Sequence, residues 1–317
     1  MTTRPHDALF KWFFEAPAAA AALLRELLPP ALRGAIQWDT VEHEPGSFVN
    51  AALADHHSDR LFLARLREGE PRLIYFLLEH QSSDDPAMPL RVLAYQLQIW
   101  GRFRKEHAGA RLPPIITVLV SHVAGGWTLA RSIEALFDPA VLALPGLTAL
   151  VPRYSMIVDD LAQVSNAELA ARSLAAPQQL ALWLLRDGRA PARLLDNFDT
   201  WLPVLAEAGL DNLAVLITYL FRVVDPVYTE ALRAKLAKLD RRAKEVTMTI
   251  AEHLHEQGRI EGRIEGRIAT LRSLLLMKFS ALDASAEARL QAGTSEAIDR
   301  YLQRVLTADS LAAVLAD

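Results

Sequence analysis

The sequence contains no cysteine among its 317 residues. Disulfide bonds and thiolate zinc sites are therefore excluded, and we expect a protein of the reducing cytoplasm. The sequence also lacks any run of about 18 apolar residues without charge, so no membrane span is expected. It has no glycine-rich phosphate loop, no His-Glu-x-x-His and no Gly-x-Ser-x-Gly. This absence argues against the enzyme classes that depend on those motifs.

An excess of positive charge is also missing. The chain has 34 Lys and Arg residues against 38 Asp and Glu residues, a net charge of −4. A general electrostatic attraction to nucleic acid is therefore excluded, and any such contact must be local. The 51% of hydrophobic and 23% of charged residues are typical of a folded globular protein.

The hydrophobic periodicity predicts a layered α/β region followed by helices. Residues 7–28 have helical spacing up to Pro29, which predicts one amphipathic helix, and a second helix is predicted from Pro86 to about His107. The predicted strands are 60–66, 73–78 and 115–120, with weaker patterns at 47–53 and 154–158. After Ser165 all periodicity is helical, with breaks expected near Gly188, Pro203, Gly209 and Pro226.

These patterns predict three regions: an α/β domain at 1–165, a helical domain at 166–250 and a helical C-terminal region at 251–317. The last region contains a Gly-Arg-Ile-Glu repeat that begins at Gly258 and has a period of four residues. Each glycine costs a helix about 1 kcal/mol relative to alanine. Close helix approach in a homo-oligomer would compensate for that cost, and a weakly helical spacer is the alternative.

Two acidic residues and an amide are predicted to converge at one end of a β-hairpin. A turn centred on Gly69 places Asp59 directly opposite Glu79, and strand alternation puts Gln81 on the same face and His80 on the other. Two carboxylates at this separation can share a divalent cation such as Mg²⁺, which could activate water towards a phosphodiester. A register shifted by one residue would separate the acids and leave ordinary polar residues at strand ends.

Residues on two predicted helices are further candidates. Asp7 could be an outer acid that helps to hold the cation, or it could be a helix N-cap. Arg91, Tyr95 and Gln98 share a helix face at spacings of four and three residues. This face could meet a phosphate or a base, or it could be polar surface.

The densest basic segment of the chain lies at residues 233–244. It includes Lys235, Lys238, Arg241 and Arg242, which could track a DNA backbone. The alternative is a solvated helix end, where positive charge is favourable in any case.

Several motifs resemble, in order, the recombination-promoting nuclease (Rpn) family, whose members are also labelled YhgA-like transposases. The matching segments are 5–11, 45–49, 58–59, 77–83, 86–91, 99–100 and 112–115. The resemblance covers residues 5–140 most closely. That family is assigned to the PD-(D/E)XK nuclease superfamily, whose pattern is an acid on one strand and acid-x-lysine on the next.

The resemblance implies a restriction-endonuclease-like core, a mixed central sheet flanked by helices, followed by an all-helical C-terminal region. Asp59 matches the first acid, Glu79 the second, and Gln81 stands where the superfamily has lysine. An amide can orient water or phosphate but supplies no positive charge. The implied function is Mg²⁺-dependent endonuclease activity on DNA, associated with recombination, mobile elements or defence. The alternative is a catalytically weak or degenerate module that binds DNA or protein.

Overall fold

The computed structural model describes residues 5–44, 60–67, 73–239, 245, 249–250, 263–264 and 266–316. The chain divides into two compact units, Met1–Thr247 and Met248–Asp317. The finer division at residue 165 remains a prediction.

The first unit is built on a five-stranded mixed sheet. Its strands are β1 (Ile36–His43), β2 (Arg60–Leu66), β3 (Leu73–Gln81), β4 (Ile115–Ser121) and β5 (Ile157–Asp160). They lie side by side in chain order. The pairs β1–β2 and β2–β3 are antiparallel, whereas β3–β4 and β4–β5 are parallel. The predicted α/β fold class is therefore confirmed.

The β2–β3 pair has the register expected for a turn centred on Gly69. Arg60 lies opposite Leu78, and Arg65 lies opposite Leu73. The interior residues of β3 are buried on both faces, as its unbroken apolar run indicates. Two further predictions, the placement of Asp59 opposite Glu79 and the strand at 47–53, fall outside the described residues.

Helices cover both faces of β3. On one face, α4 (Met88–Glu106) packs Val92 and Ile99 against Leu77 and Leu119 in a single apolar core. On the other face lies α1 (Pro5–Phe14), and the ring of its Phe10 stacks on the ring of His80. In β3, His80 lies between Glu79 and Gln81, whose side chains point to the α4 face. The sheet therefore has a distinct α4 face and a distinct α1 face.

The single helix predicted for residues 7–28 is wrong, because two helices occupy this segment. The first is α1, and the second is α2 (Pro17–Leu27), whose first residue is a proline. Ala16 has an extended conformation, since the ring of a following proline disfavours the helical region for the residue before it. A short helix, α3 (Pro30–Ala35), follows and leads directly into the edge strand β1.

The described residues after Ser165 in this unit are helical, as predicted. These helices are α6 (Asn166–Ala170), α7 (Ala176–Asp187), α8 (Pro191–Glu207), α9 (Leu210–Val223) and α10 (Thr229–Leu236). One more short helix, α5 (Pro139–Leu142), lies before β5. The break expected at Pro203 is wrong, because Pro203 lies inside α8. Phe198, Trp201 and Leu205 of α8 are buried, and this packing offsets the backbone hydrogen bond that proline removes.

The second unit is helical throughout its described part. Its helices lie at residues 266–279, Ala284–Ala292, Ser295–Arg304 and Leu311–Val314. Leu271, Leu275, Leu290 and Ile298 are fully buried in its core. Gly258 and Gly262 of the repeat fall outside the described residues. Across the described part of the chain, no helix is both long enough and apolar enough to cross a membrane.

Candidate active site

The candidate site lies at the C-terminal end of β3, on the α4 face of the sheet. Glu79 has no exposed surface, although it is a carboxylate two residues before the end of β3. It pairs with Leu119 of β4, and Gln81, the last residue of β3, pairs with Ser121. Because paired residues in parallel strands share a face, the polar end of β3 continues into β4.

Arg91, in the first turns of α4, connects both residues to the loop before the helix. Its Nη2 atom lies 3.6 Å from Oε2 of Glu79 and donates a hydrogen bond of 3.1 Å to Oε1 of Gln81. Its Nη1 atom forms an ion pair with Asp85. The guanidinium is thus held on two sides, and the structure brings it into one cluster with Glu79 and Gln81.

The amide of Gln81 has a defined orientation in this cluster. Its oxygen accepts from Arg91, and its Nε2 donates to the carbonyl oxygen of Ser83 at 3.0 Å. One N–H and one lone pair therefore remain for a ligand. Gln81 and Arg91 also line an open surface cavity of about 540 Å³, together with Asp85 and Leu90.

The other two candidates lie further along α4. Tyr95 is buried in the apolar core beside Leu77, and Gln98 is half-buried one turn further along the helix. Among the three residues predicted to share this helix face, Arg91 makes the contacts with Glu79 and Gln81 given above.

Asp7 lies on the opposite side of the sheet. It belongs to the first turn of α1 rather than preceding the helix, and its Oδ1 lies 3.1 Å from Nδ1 of His80. His80 points away from the α4 face, as strand alternation predicts. The sheet therefore separates the described contact of Asp7 from Glu79.

Three buried histidines, His6, His80 and His122, form a cluster on the α1 face that the sequence analysis did not predict. The ring of His122 lies 5.0 Å from that of His80 and 4.8 Å from that of His6. Burial, followed by the charge of Arg189, lowers the pKa of His6 to about 4. Burial and the neighbouring histidines lower the pKa of His122 to about 2. These rings are therefore neutral near pH 7.

Arg189 links this histidine cluster to the candidate site. Its Nε donates to Nε2 of His6 at 2.9 Å, and its Nη1 donates to the carbonyl oxygen of Ser82 at 2.7 Å. Ser82 directly follows Gln81, so a residue of the connection between α7 and α8 helps to hold the backbone next to the site.

The basic segment is partly neutralised where the structure describes it. The ammonium groups of Lys235 and Lys238 donate to the two carboxylate oxygens of Asp199, at 2.7 and 2.6 Å. Arg241 and Arg242 lie outside the described residues, so their predicted contact with DNA remains a prediction.

The donor atoms of the site are of a kind that Mg²⁺ accepts. A carboxylate oxygen of Glu79 and the amide oxygen of Gln81 are hard ligands, and a buried carboxylate requires positive charge nearby. Within the described ranges, no three His, Asp or Glu side chains are arranged to hold a metal ion. Asp59, the second predicted ligand, lies outside those ranges.

The fold and the site define an α/β protein with a carboxylate, an amide and a guanidinium at the end of a central strand. A helical region follows that α/β region along the chain. The chain belongs to the family described as "Putative transposase, YhgA-like", whose model matches residues 4–207. The resemblance to the recombination-promoting nuclease family is thereby confirmed.

Relatives of known name align with most of the chain. Recombination-promoting nuclease RpnD of Escherichia coli O157:H7 is 29% identical over 80% of this chain and 95% of its own length. Recombination-promoting nuclease RpnA of E. coli K12 is 25% identical over 81% and 85%. Inactive recombination-promoting nuclease-like protein RpnE of the same strain is 28% identical over 81% and 83%. No solved structure matches the chain.

Proposed function

We propose that the protein is a metal-dependent endodeoxyribonuclease that hydrolyses DNA phosphodiester bonds in recombination, mobile-element movement or defence. The observation that carries the proposal is the contact of Arg91 with both the buried Glu79 and Gln81. Relatives that match four-fifths of this chain and bear the name of nucleases support it.

In this proposal, Glu79 and Asp59 hold Mg²⁺ or another divalent cation. Burial of the Glu79 carboxylate costs desolvation free energy. The positive charge of Arg91 offsets part of that cost, and a bound cation would offset more of it. When bound, such an ion would polarise a phosphate oxygen and lower the pKa of a water molecule. Asp59 lies outside the described residues, and we assign it this role because a hairpin pairing extended by one residue beyond Arg60 and Leu78 would have Asp59 opposite Glu79.

Arg91 supplies the positive charge that Gln81 cannot. Lysine is expected at the position of Gln81, but the guanidinium of Arg91 reaches the oxygen of that amide instead. During hydrolysis a water oxygen bonds to phosphorus, the bond to one deoxyribose oxygen breaks, and negative charge grows on the phosphoryl oxygens. A pre-oriented guanidinium stabilises that charge. The remaining N–H of Gln81 is available to orient the attacking water.

A second candidate function is a catalytically weak or degenerate module that binds DNA or protein. Two observations favour it. A relative of similar coverage is named inactive, and Gln81 replaces a cationic residue with a neutral one. In this reading, Arg91 neutralises Glu79 as a structural ion pair and the site needs no cation.

Incubation of supercoiled plasmid with the protein and Mg²⁺ distinguishes the two functions. The nuclease proposal expects nicking that Asp59→Ala and Glu79→Gln abolish. Asp196→Asn is the matched control, because it removes an exposed carboxylate from α8, away from the candidate site, and should leave nicking intact. Plasmid binding without nicking by the wild-type protein would support the second function.

We also propose that the C-terminal repeat supports a homo-oligomer. Light scattering would compare the solution mass of the whole chain with that of a chain ending near residue 250. A lower subunit count after truncation would support the proposal, and an unchanged count would refute it.

A further inference from the structure

A basic cleft lies away from the candidate site, where α2 and α3 meet the ends of β1 and β2. It has a volume of about 600 Å³. The residues that line it include Arg25, Arg33, Arg67, Trp38, Glu26 and Ser173. Three arginines therefore converge on one cavity in a chain whose net charge is −4.

Backbone carbonyl oxygens among the described residues hold the guanidinium groups of Arg33 and Arg67 in this basic cleft. Arg33 donates from Nε to the carbonyl oxygen of Leu28 at 2.6 Å and from Nη2 to that of Glu26 at 3.1 Å. Arg67 donates from Nε to the carbonyl oxygen of Ile36 at 3.1 Å. Carbonyl oxygens orient a guanidinium but carry no formal charge, so both arginines keep their full positive charge and several N–H groups.

Arg25 completes the set from α2. Its guanidinium carbon lies 5.9 Å from the centre of the Trp38 ring. In the part of the chain that the structure describes, no ion pair joins any of the three arginines to a carboxylate. Glu26 is the one acidic residue among those named as lining the cleft, so their net charge is positive by two.

We infer that this basic cleft binds a phosphoryl anion, either a phosphate of a nucleic-acid backbone or that of a free nucleotide or pyrophosphate. Guanidinium groups present forked donors that match phosphate oxygens. A monovalent carboxylate would leave much of this charge uncompensated, whereas a ligand with two or more negative charges would balance it. Arginines that are already oriented by backbone carbonyls lose little freedom when they bind.

The inference does not depend on the proposed nuclease activity. Arg67 directly follows β2 at one end of the β2–β3 pair, whereas Glu79 lies beyond the last observed pair at the other end. Trp38 packs on Phe76, and in β3 Phe76 alternates with Leu77, a residue of the α4 core. The cleft is therefore separated from Glu79 both along the strands and across the sheet.

Two probes test the inference on the full-length chain, with EDTA present so that no cation bridges a ligand to Glu79. Calorimetry measures binding of inorganic pyrophosphate, and fluorescence anisotropy measures binding of a labelled single-stranded oligonucleotide. The variants are Arg25→Gln with Arg67→Gln, both at exposed positions. Arg33 is retained because its hydrogen bonds support the end of α2. Arg104→Gln, at an exposed position of α4, removes one positive charge elsewhere as a control.

We expect the paired substitutions to weaken binding of at least one probe by about tenfold or more, the scale of lost charge-assisted hydrogen bonds. Arg104→Gln should have little effect. Glu26→Gln should strengthen binding, because it removes the repelling carboxylate while leaving the arginines in place. A loss seen with pyrophosphate would indicate free phosphoryl ligands, and a loss confined to the oligonucleotide would indicate a nucleic-acid backbone. Equal binding by wild-type protein and the Arg25, Arg67 and Glu26 variants would overturn the inference.

Discussion

The Nη2 atom of Arg91 lies 3.6 Å from Oε2 of Glu79, a carboxylate with no exposed surface. The same nitrogen donates to Gln81. A helix outside the predicted hairpin therefore contributes the positive charge of the site, and its position follows from the packing of α4 on the sheet.

Replacement of Arg91 should affect both stability and activity. Arg91→Gln removes an ion-pair partner of a buried carboxylate, which costs about 3 kcal/mol in the free energy of unfolding. If the proposed function is correct, DNA cleavage should fall by about 100-fold or more, because transition-state charge loses a donor. Arg91→Lys keeps the charge and should recover part of both quantities. Urea denaturation and single-turnover cleavage would measure the two effects, and full cleavage by Arg91→Gln would contradict this role.

If the proposed function is correct, restoration of the lysine expected at position 81 should not improve DNA cleavage. Gln81→Lys would place an ammonium group beside the guanidinium of Arg91, and two adjacent cations repel one another. We therefore predict lower stability and no gain in cleavage rate. The double variant Gln81→Lys with Arg91→Gln should be the more active of the two. A faster single variant would show that Arg91 does not substitute for the lysine.

Arg189 should act as a positioning residue. Arg189→Gln removes the hydrogen bond to the backbone of Ser82, next to Gln81. Because Arg189 is exposed, its loss should change the unfolding free energy by less than about 1 kcal/mol. We expect kcat to fall several-fold with little change in KM, since the loop geometry changes rather than DNA binding. A change confined to KM would assign Arg189 to substrate binding instead.

Stability should decrease as the pH falls below about 6.5, partly because of His122. Its pKa is lowered from 6.5 to about 2 by burial and by the charges of His80, His6 and Arg189. Between pH 6.5 and pH 2, the imidazole at position 122 is therefore protonated in the unfolded chain and neutral in the folded chain. Such a group contributes a slope of up to about 1.4 kcal/mol per pH unit.

The variant His122→Gln should flatten this slope between pH 6 and pH 4. Denaturant unfolding of the wild-type protein and of the variant at a series of pH values would measure the two slopes. An equal slope in wild-type protein and His122→Gln would mean that His122 is protonated in the folded state.

Several structural features that depend on residues close together in the sequence were predicted correctly. The apolar runs of β2 and β3 and the glycine between them were sufficient for the observed register. The edge strand β1 was missed because only Ile36 among its residues is buried, so its hydrophobic alternation is weak. Strand β5 begins at Ile157, three residues later than its pattern suggested.

Long-range contacts could not be predicted in this way. The helical spacing of Arg91, Tyr95 and Gln98 identified a shared face, but it did not indicate that Arg91 would reach Glu79. His6 and His122 are 116 positions apart in the sequence (122 − 6), and the packing of α1 on the sheet brings them together. No local pattern in the sequence marks such a cluster.

The most direct test of the central claim is the initial rate of DNA cleavage measured against Mg²⁺ concentration for the wild-type protein and for Glu79→Gln. The variant keeps the size of the side chain and removes its negative charge, and Arg91 keeps its ion pair with Asp85, so the variant should fold. The account predicts cleavage that requires the cation in the wild-type protein and is lost in the variant at every concentration. Cleavage that needs no divalent cation, or that persists in a folded Glu79→Gln protein, would contradict it.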